Sequence, residues 1–145
     1  LTQLHLGAMI TLTQAFLPAM KAKKFGRIVN MSSRAIVGLA TRTNYAGTKA
    51  AIISMSRTWA LELGQHGITV NVIAPGPIVT DMFTEVIPED SDKAPALANS
   101  IPVKRLGQSD DIARATAFFL DKKNSFVTGQ TLFVCGGTSL GSISL

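Results

Sequence analysis

Cysteine is nearly missing from this chain: Cys135 is the only one in 145 residues. An internal disulfide is therefore excluded, and a lone thiol fits a reducing compartment such as the cytoplasm. Aromatic residues are scarce as well, at 6%. No aromatics interleave the basic residues, as a groove that stacks single-stranded nucleic acid would require. The net charge of +5 and the cluster Lys21, Lys23, Lys24 and Arg27 would otherwise invite that reading. These cations are better understood as a solvated helix end, where positive charge meets the negative pole of the helix dipole. No apolar run is long enough to cross a bilayer, because His5, Gln14, threonines and Pro18 interrupt the stretch from Leu4 to Met20. The same stretch has neither the basic start nor the cleavage pattern of a secretory signal. Asp81, Glu85, Glu89, Asp90 and Asp92 match no metal-cage spacing and read as solvated charges. Internal repeats and low-complexity segments are lacking too.

What is abundant is Ala, Ile, Val, Leu and Gly, and 46% of the residues are hydrophobic. That balance suits an α/β domain with a buried core. Apolar residues from Leu6 to Met20 recur at helical spacing over residues 2–21, and Phe25-Gly26 ends the segment. Arg27 to Met31 reads as a buried strand, 32–43 as a loop, and 44–64 as a second helix. Ile68 to Ala74 is a β-branched strand broken by Pro75-Gly76-Pro77. Residues 81–104, with three prolines and weak periodicity, read as a long functional loop holding a short helix near Ala94 to Asn99. Ser109 or Asp110 can cap a helix running to Leu120, and Gln130 to Val134 is the last strand. Helix and strand alternate, which predicts parallel strands with helical crossovers and ligands at the carboxyl rim of the sheet.

Three separate motifs meet that rim: Ser32-Ser33, the start of the helix with Tyr45 and Lys49, and Pro75-Gly76. Residues four apart share a helix face. An ammonium beside a phenol favours the phenolate, and a nearby hydroxyl can hold a carbonyl oxygen while the phenol protonates it. Of the two adjacent serines, only one can aim at a substrate, since neighbouring strand side chains point oppositely.

Gly26-Arg27-Ile28-Val29-Asn30-Met31-Ser32-Ser33, Tyr45-Ala46-Gly47-Thr48-Lys49 and the run from Gly67 to Thr80 resemble the classical short-chain dehydrogenase/reductase family. So do Arg105-Leu106-Gly107, Asp110-Asp111-Ile112-Ala113, Thr128-Gly129-Gln130 and Gly136-Gly137. Bacterial 3-oxoacyl-carrier-protein-reductase-like members look most similar. The resemblance implies a doubly wound parallel sheet of Rossmann type. It implies Tyr45 as general acid or base, Lys49 on the nicotinamide ribose, and Ser33 on the substrate oxygen. Pro75, Gly76, Ile78 and Thr80 would line the nicotinamide pocket. Counting forward from the strand points to Ser33, whereas the family's commonest serine-to-tyrosine spacing points to Ser32; a loop one residue shorter favours Ser33. His5 falls where an asparagine usually helps hold a proton-relay water. It is either a tolerated replacement or a titrating substitute.

By this resemblance residues 1–145 are the C-terminal part of one dinucleotide-binding domain. The glycine-rich pyrophosphate turn, and the residue that separates NAD from NADP, would precede Leu1. The expected activity is NAD(P)-dependent interconversion of a small-molecule carbonyl and alcohol, with 81–104 as a lid. Met82, Phe83, Val86 and Ile87 would form its apolar wall. A catalytically silent nucleotide-binding or regulatory protein of the same fold is the alternative, and an epimerase or dehydratase a third. Residues 2–21 and 44–64 correspond to helices that family members pack between subunits, so a homo-oligomer, a tetramer, is expected. The 145 residues alone are expected to turn over no substrate; measurable cofactor reduction by a protein starting at Leu1 would contradict this.

Overall fold

A computed structural model describes residues 1–88 and 91–141. A single π turn over Gln3–Gly7 leads into α1 (Ala8–Lys23). There follow β1 (Gly26–Met31), α2 (Thr43–Leu63), β2 (Ile68–Pro75), α3 (Asp81–Val86), α4 (Lys93–Ser100), α5 (Ser109–Leu120) and β3 (Thr131–Val134). The three strands are parallel in the order β1-β2-β3. Gly26 pairs with Ile68 and Met31 with Ile73, while Val72 pairs with Thr131 and Pro75 with Val134. All three carboxyl ends therefore reach one rim.

Alternation along the strands divides the helices between the two faces. Ile68 and Val70 pack with Ala60 and Leu63 of α2, joined by Leu17, Met20, Ile28 and Trp59. On the opposite face Arg27 reaches the Lys122 carbonyl just past α5. β2 is buried along nearly its whole length because both neighbours and both faces cover it. Asn71 is buried there with its amide satisfied: Nδ2 donates to the Val127 carbonyl at 2.9 Å, and Oδ1 accepts from the Gln130 amide at 3.1 Å. These bonds tie the central strand to the loop entering β3.

Several expectations are corrected. Lys24, in the left-handed region at φ 49°, ends α1 in place of a glycine; its N–H reaches the Met20 and Lys21 carbonyls. β1 is only partly buried and Met31 is exposed, because β1 is an edge strand of this sheet. The segment 81–104 is more helical than its prolines suggest. Thr80 Oγ1 accepts the Phe83 amide and starts α3. Pro95 stands third in α4, within the first turn, where a missing N–H costs no helical bond. The N-cap of α5 is Gln108, whose amide donates to Asp111 Oδ2 at 2.8 Å, rather than Ser109 or Asp110. Of the acidic residues in this stretch, Glu89 and Asp90 lie outside the described residues. Among those described, no group of three or more His, Cys, Asp or Glu side chains could hold a metal ion. No described helix is long and apolar enough to cross a membrane.

The turn between α2 and β2 depends on Gly67. Its φ is +72°, and a Cβ there would come within 2.2 Å of the Lys24 carbonyl oxygen. Gly67→Ala is expected to cost about 1–3 kcal/mol of unfolding free energy, read from the urea midpoint. An unchanged midpoint would contradict this close packing.

Candidate functional site

Local helix geometry makes the centre of the site. Tyr45 and Lys49 lie one turn apart near the start of α2, and Lys49 Nζ stands 5.9 Å from the centroid of the Tyr45 ring. Lys49 also bonds the end of β1, its ammonium donating to the Met31 carbonyl at 2.9 Å. Burial lowers its pKa from the ordinary lysine value. Ser32 bonds in the reverse direction: its buried hydroxyl donates to the Lys49 carbonyl at 2.8 Å. Strand end and helix start are thus joined by two side chains, one from each element.

The adjacent serines separate as strand geometry requires. Ser32 is committed to α2. Ser33, in extended backbone, accepts the Ala35 amide at 3.1 Å and starts the short 3-10 turn Arg34–Val37. Among the described residues no group accepts the Ser33 hydroxyl proton, so that donor is uncommitted.

Tyr45 lines a cleft of about 600 Å³ together with Pro75, Gly76, Ile78 and Thr80. The far wall is apolar, formed by Met82, Phe83, Val86 and Ile87, and Ser109 and Ile112 complete it from α5. Among the described residues no charged side chain lines this cleft. Gly76 is required at its base: a Cβ would meet Cys135 Cα at 2.7 Å, so only glycine lets the Pro75-Gly76 turn lie against the end of β3. The Gly76 amide donates to the Val134 carbonyl at 3.0 Å. Beyond it, the Val79 amide donates to the Gly107 carbonyl at 2.9 Å and the Gly107 amide to the Pro77 carbonyl at 3.0 Å, which hold the cleft floor to the approach of α5. Cys135 is buried behind this turn, with Sγ 3.3 Å from Ser139 Oγ, and borders a separate cavity of about 150 Å³.

Lys49 and His5 line a second, neighbouring cleft along α1 and β1; Ser33 lines neither. Tyr45 bridges the two groups, because the His5 ring meets its edge at 5.7 Å with an interplanar angle of 77°. His5 Nδ1 lies 2.9 Å from Thr48 Oγ1. Burial first, then the Lys49 charge and the Leu1 amino group, lower the His5 pKa. Thr48 was not singled out from sequence. It stands inside the Tyr45–Lys49 turn, but its partner is 43 residues away.

Comparison with known proteins shows the family and the fold. The family model described as enoyl-(acyl carrier protein) reductase matches residues 1–139. A (2S)-[(R)-hydroxy(phenyl)methyl]succinyl-CoA dehydrogenase subunit, BbsD, of Thauera aromatica is 47% identical over 128 residues, 88% of this chain and 50% of its own length. The 3-oxoacyl-[acyl-carrier-protein] reductase FabG of Haemophilus influenzae is 44% identical over 141 residues, covering 95% of this chain and 56% of that protein. The chain thus spans about half the length of these curated relatives. Among solved structures, a short chain dehydrogenase/reductase family protein superimposes with TM-score 0.86 at 34% identity, over 96% of this chain and 56% of the other. ElxO with NADP bound gives TM-score 0.85 at 28% identity, over 92% and 54%.

Ser32→Ala removes a buried donor and is expected to cost roughly 1 kcal/mol in urea unfolding. A variant as stable as the parent would show that the Ser32 bond does not hold α2 to β1.

Proposed function

We propose, because this chain belongs to the classical short-chain dehydrogenase/reductase family, that it carries the reaction centre of an NAD(P)-dependent oxidoreductase interconverting a carbonyl and an alcohol. The observation that carries this reading is one cleft on which Tyr45, Pro75, Gly76, Ile78 and Thr80 converge, with Lys49 behind the tyrosine ring. Relatives named as reductases and dehydrogenases support it and do not favour a silent binding protein.

The residues fit a nicotinamide cofactor. Pro75 and Gly76 offer a flat, uncharged backbone surface for a ring, with Ile78 and Thr80 beside it. Lys49 uses one of its three N–H donors on Met31 and keeps two for ribose hydroxyls. The bound cofactor supplies or takes the hydride. NADP is the form in ElxO, a solved relative, and is the first candidate here.

In reduction, Tyr45 donates its phenolic proton to the carbonyl oxygen. In oxidation, its phenolate takes the hydroxyl proton of the alcohol. Ser33, whose hydroxyl accepts the Ala35 amide and keeps its proton to donate, is the candidate to bind the same oxygen. The Lys49 ammonium keeps positive charge beside the phenol in both directions. Met82, Phe83, Val86 and Ile87 cover the apolar part of a small-molecule substrate, and their helical segment serves as the lid. We place the protein in the cytoplasm, where a lone thiol stays reduced. A homotetramer accounts for the exposed apolar side chains Leu4, Leu12 and Phe16 at and before α1 and Leu61 on α2.

The test is Tyr45→Phe in the intact protein, followed by nicotinamide absorbance against a panel of ketones. Turnover should fall at least about 100-fold, in the range of a lost general acid, with cofactor still bound. Ser33→Ala should also lower turnover, and by more than Ser32→Ala. Undiminished turnover by Tyr45→Phe would refute the assignment.

A further inference from the structure

Tyr45 borders two depressions. One is the uncharged cleft of about 600 Å³ walled by α3. The other, of about 340 Å³, shares only Tyr45 with it and is lined by Leu1, Thr41, Arg42, Thr43 and Asn44. Among the described residues, Arg42 is the only charged side chain that lines either one. It stands three residues before Tyr45, and residues three apart at a helix start are neighbours, with Cβ atoms roughly 5–6 Å apart. The Arg42 backbone is held on both sides: its amide donates to the Leu39 carbonyl at 3.2 Å, and its carbonyl accepts the Ala46 amide at 2.8 Å. Its side chain makes no capping bond to α2. Among the described residues the ion pairs engage Arg105 and Arg114, and none engages Arg42.

The loop that delivers Arg42 is strained. Thr41, immediately before it, lies in the left-handed region at φ 66°, which a β-branched residue seldom adopts. Such strain persists where the surroundings enforce it, and it gathers at ligand sites. Arg34 braces the same loop, its Nη1 donating to the Gly38 carbonyl at 3.3 Å. Charge is also unequal around the tyrosine. The helix α3 carries Asp81 and Glu85, whereas among the described residues no carboxylate lines the Arg42 depression. An anionic group on the α3 side would meet like charge and lose its hydration against an apolar wall. On the Arg42 side it meets a guanidinium, whose planar fork matches the two oxygens of a carboxylate.

We propose that Arg42 is a specificity-determining residue and that the substrate is a keto acid, or the hydroxy acid formed from it. The carboxylate pairs with Arg42, the apolar group lies in the cleft walled by α3, and the reacting carbonyl sits between them at Tyr45. This rests on the carbonyl–alcohol chemistry proposed above. Because Tyr45 borders both depressions, carboxylate and carbonyl belong to one small molecule and stand only a few bonds apart. The carboxylate keeps its charge throughout, so the proton passed by Tyr45 still goes to or from the carbonyl oxygen alone. Arg42 therefore acts by binding and orienting the substrate, and takes no part in the proton transfer.

The test compares β-benzoylpropionate with its primary amide in the intact protein, by nicotinamide absorbance and by calorimetric binding with the cofactor present. The two ketones share ring, carbonyl and spacing and differ in charge. The parent should prefer the acid in kcat/KM. Arg42→Gln should lower the acid-over-amide ratio by roughly 10–100-fold, the range of a hydrogen bond to a charged group. Arg42→Lys keeps the charge but not the fork and should fall between the two. A merely structural role would lower both substrates alike and leave the ratio in place. A parent that does not prefer the acid, a ratio unchanged in Arg42→Gln, or an acid that neither binds nor reacts would overturn the proposal. Arg42-dependent binding of the acid without turnover would count against the proposed function alone. Turnover that depends on Tyr45 but keeps its ratio in Arg42→Gln would count against this proposal alone, so the two failures are distinguishable.

Discussion

The whole site depends on the joint between the carboxyl end of β1 and the first turns of α2. Lys49 donates to the Met31 carbonyl, and Ser32 donates to the Lys49 carbonyl, at 2.9 and 2.8 Å. Each element thus contributes one side-chain donor to the other's backbone. A helix packed by apolar contact alone could slide or roll, because burial has no direction. Two opposed hydrogen bonds at one residue remove that freedom. They fix where Tyr45 stands relative to the sheet rim, since Tyr45 is one helical turn from Lys49.

The second constraint is the Pro75-Gly76 turn. Proline ends β2, and glycine lets the chain lie against Cys135 at the end of β3. The strand register brings both joints to the same rim, and the cleft opens between them. Its lining among the described residues is uncharged, whereas Lys49 and His5 line the neighbouring cleft along α1 and β1.

Much of this was legible because it is local. The Tyr45–Lys49 pairing follows from helix pitch, and the β-branched run of β2 announces a buried strand. The parity of Ser32 and Ser33 required that they diverge, but which one faces α2 depended on the Lys49 carbonyl, a contact no local pattern encodes. Thr48 was overlooked for the same reason: threonine in a helix is unremarked until His5 arrives from a distant segment. The helices within 81–104 were hidden by their prolines. Pro95 proves compatible because it falls in a first turn, and Thr80, not counted as a cap, starts α3. Lys24 took the left-handed end of α1 although Gly26 stood two residues away, since Gly26 is needed where Met20 and Ile68 crowd β1.

The central claim is that Tyr45 and Lys49 act as one unit held by this joint. A double-mutant cycle on kcat/KM in the intact protein measures it most directly, using Tyr45→Phe, Lys49→Met and the pair. Groups acting together are strongly non-additive, so the double variant should lose little more than the worse single variant. Losses that multiply would mean that phenol and ammonium work independently, and would contradict the account.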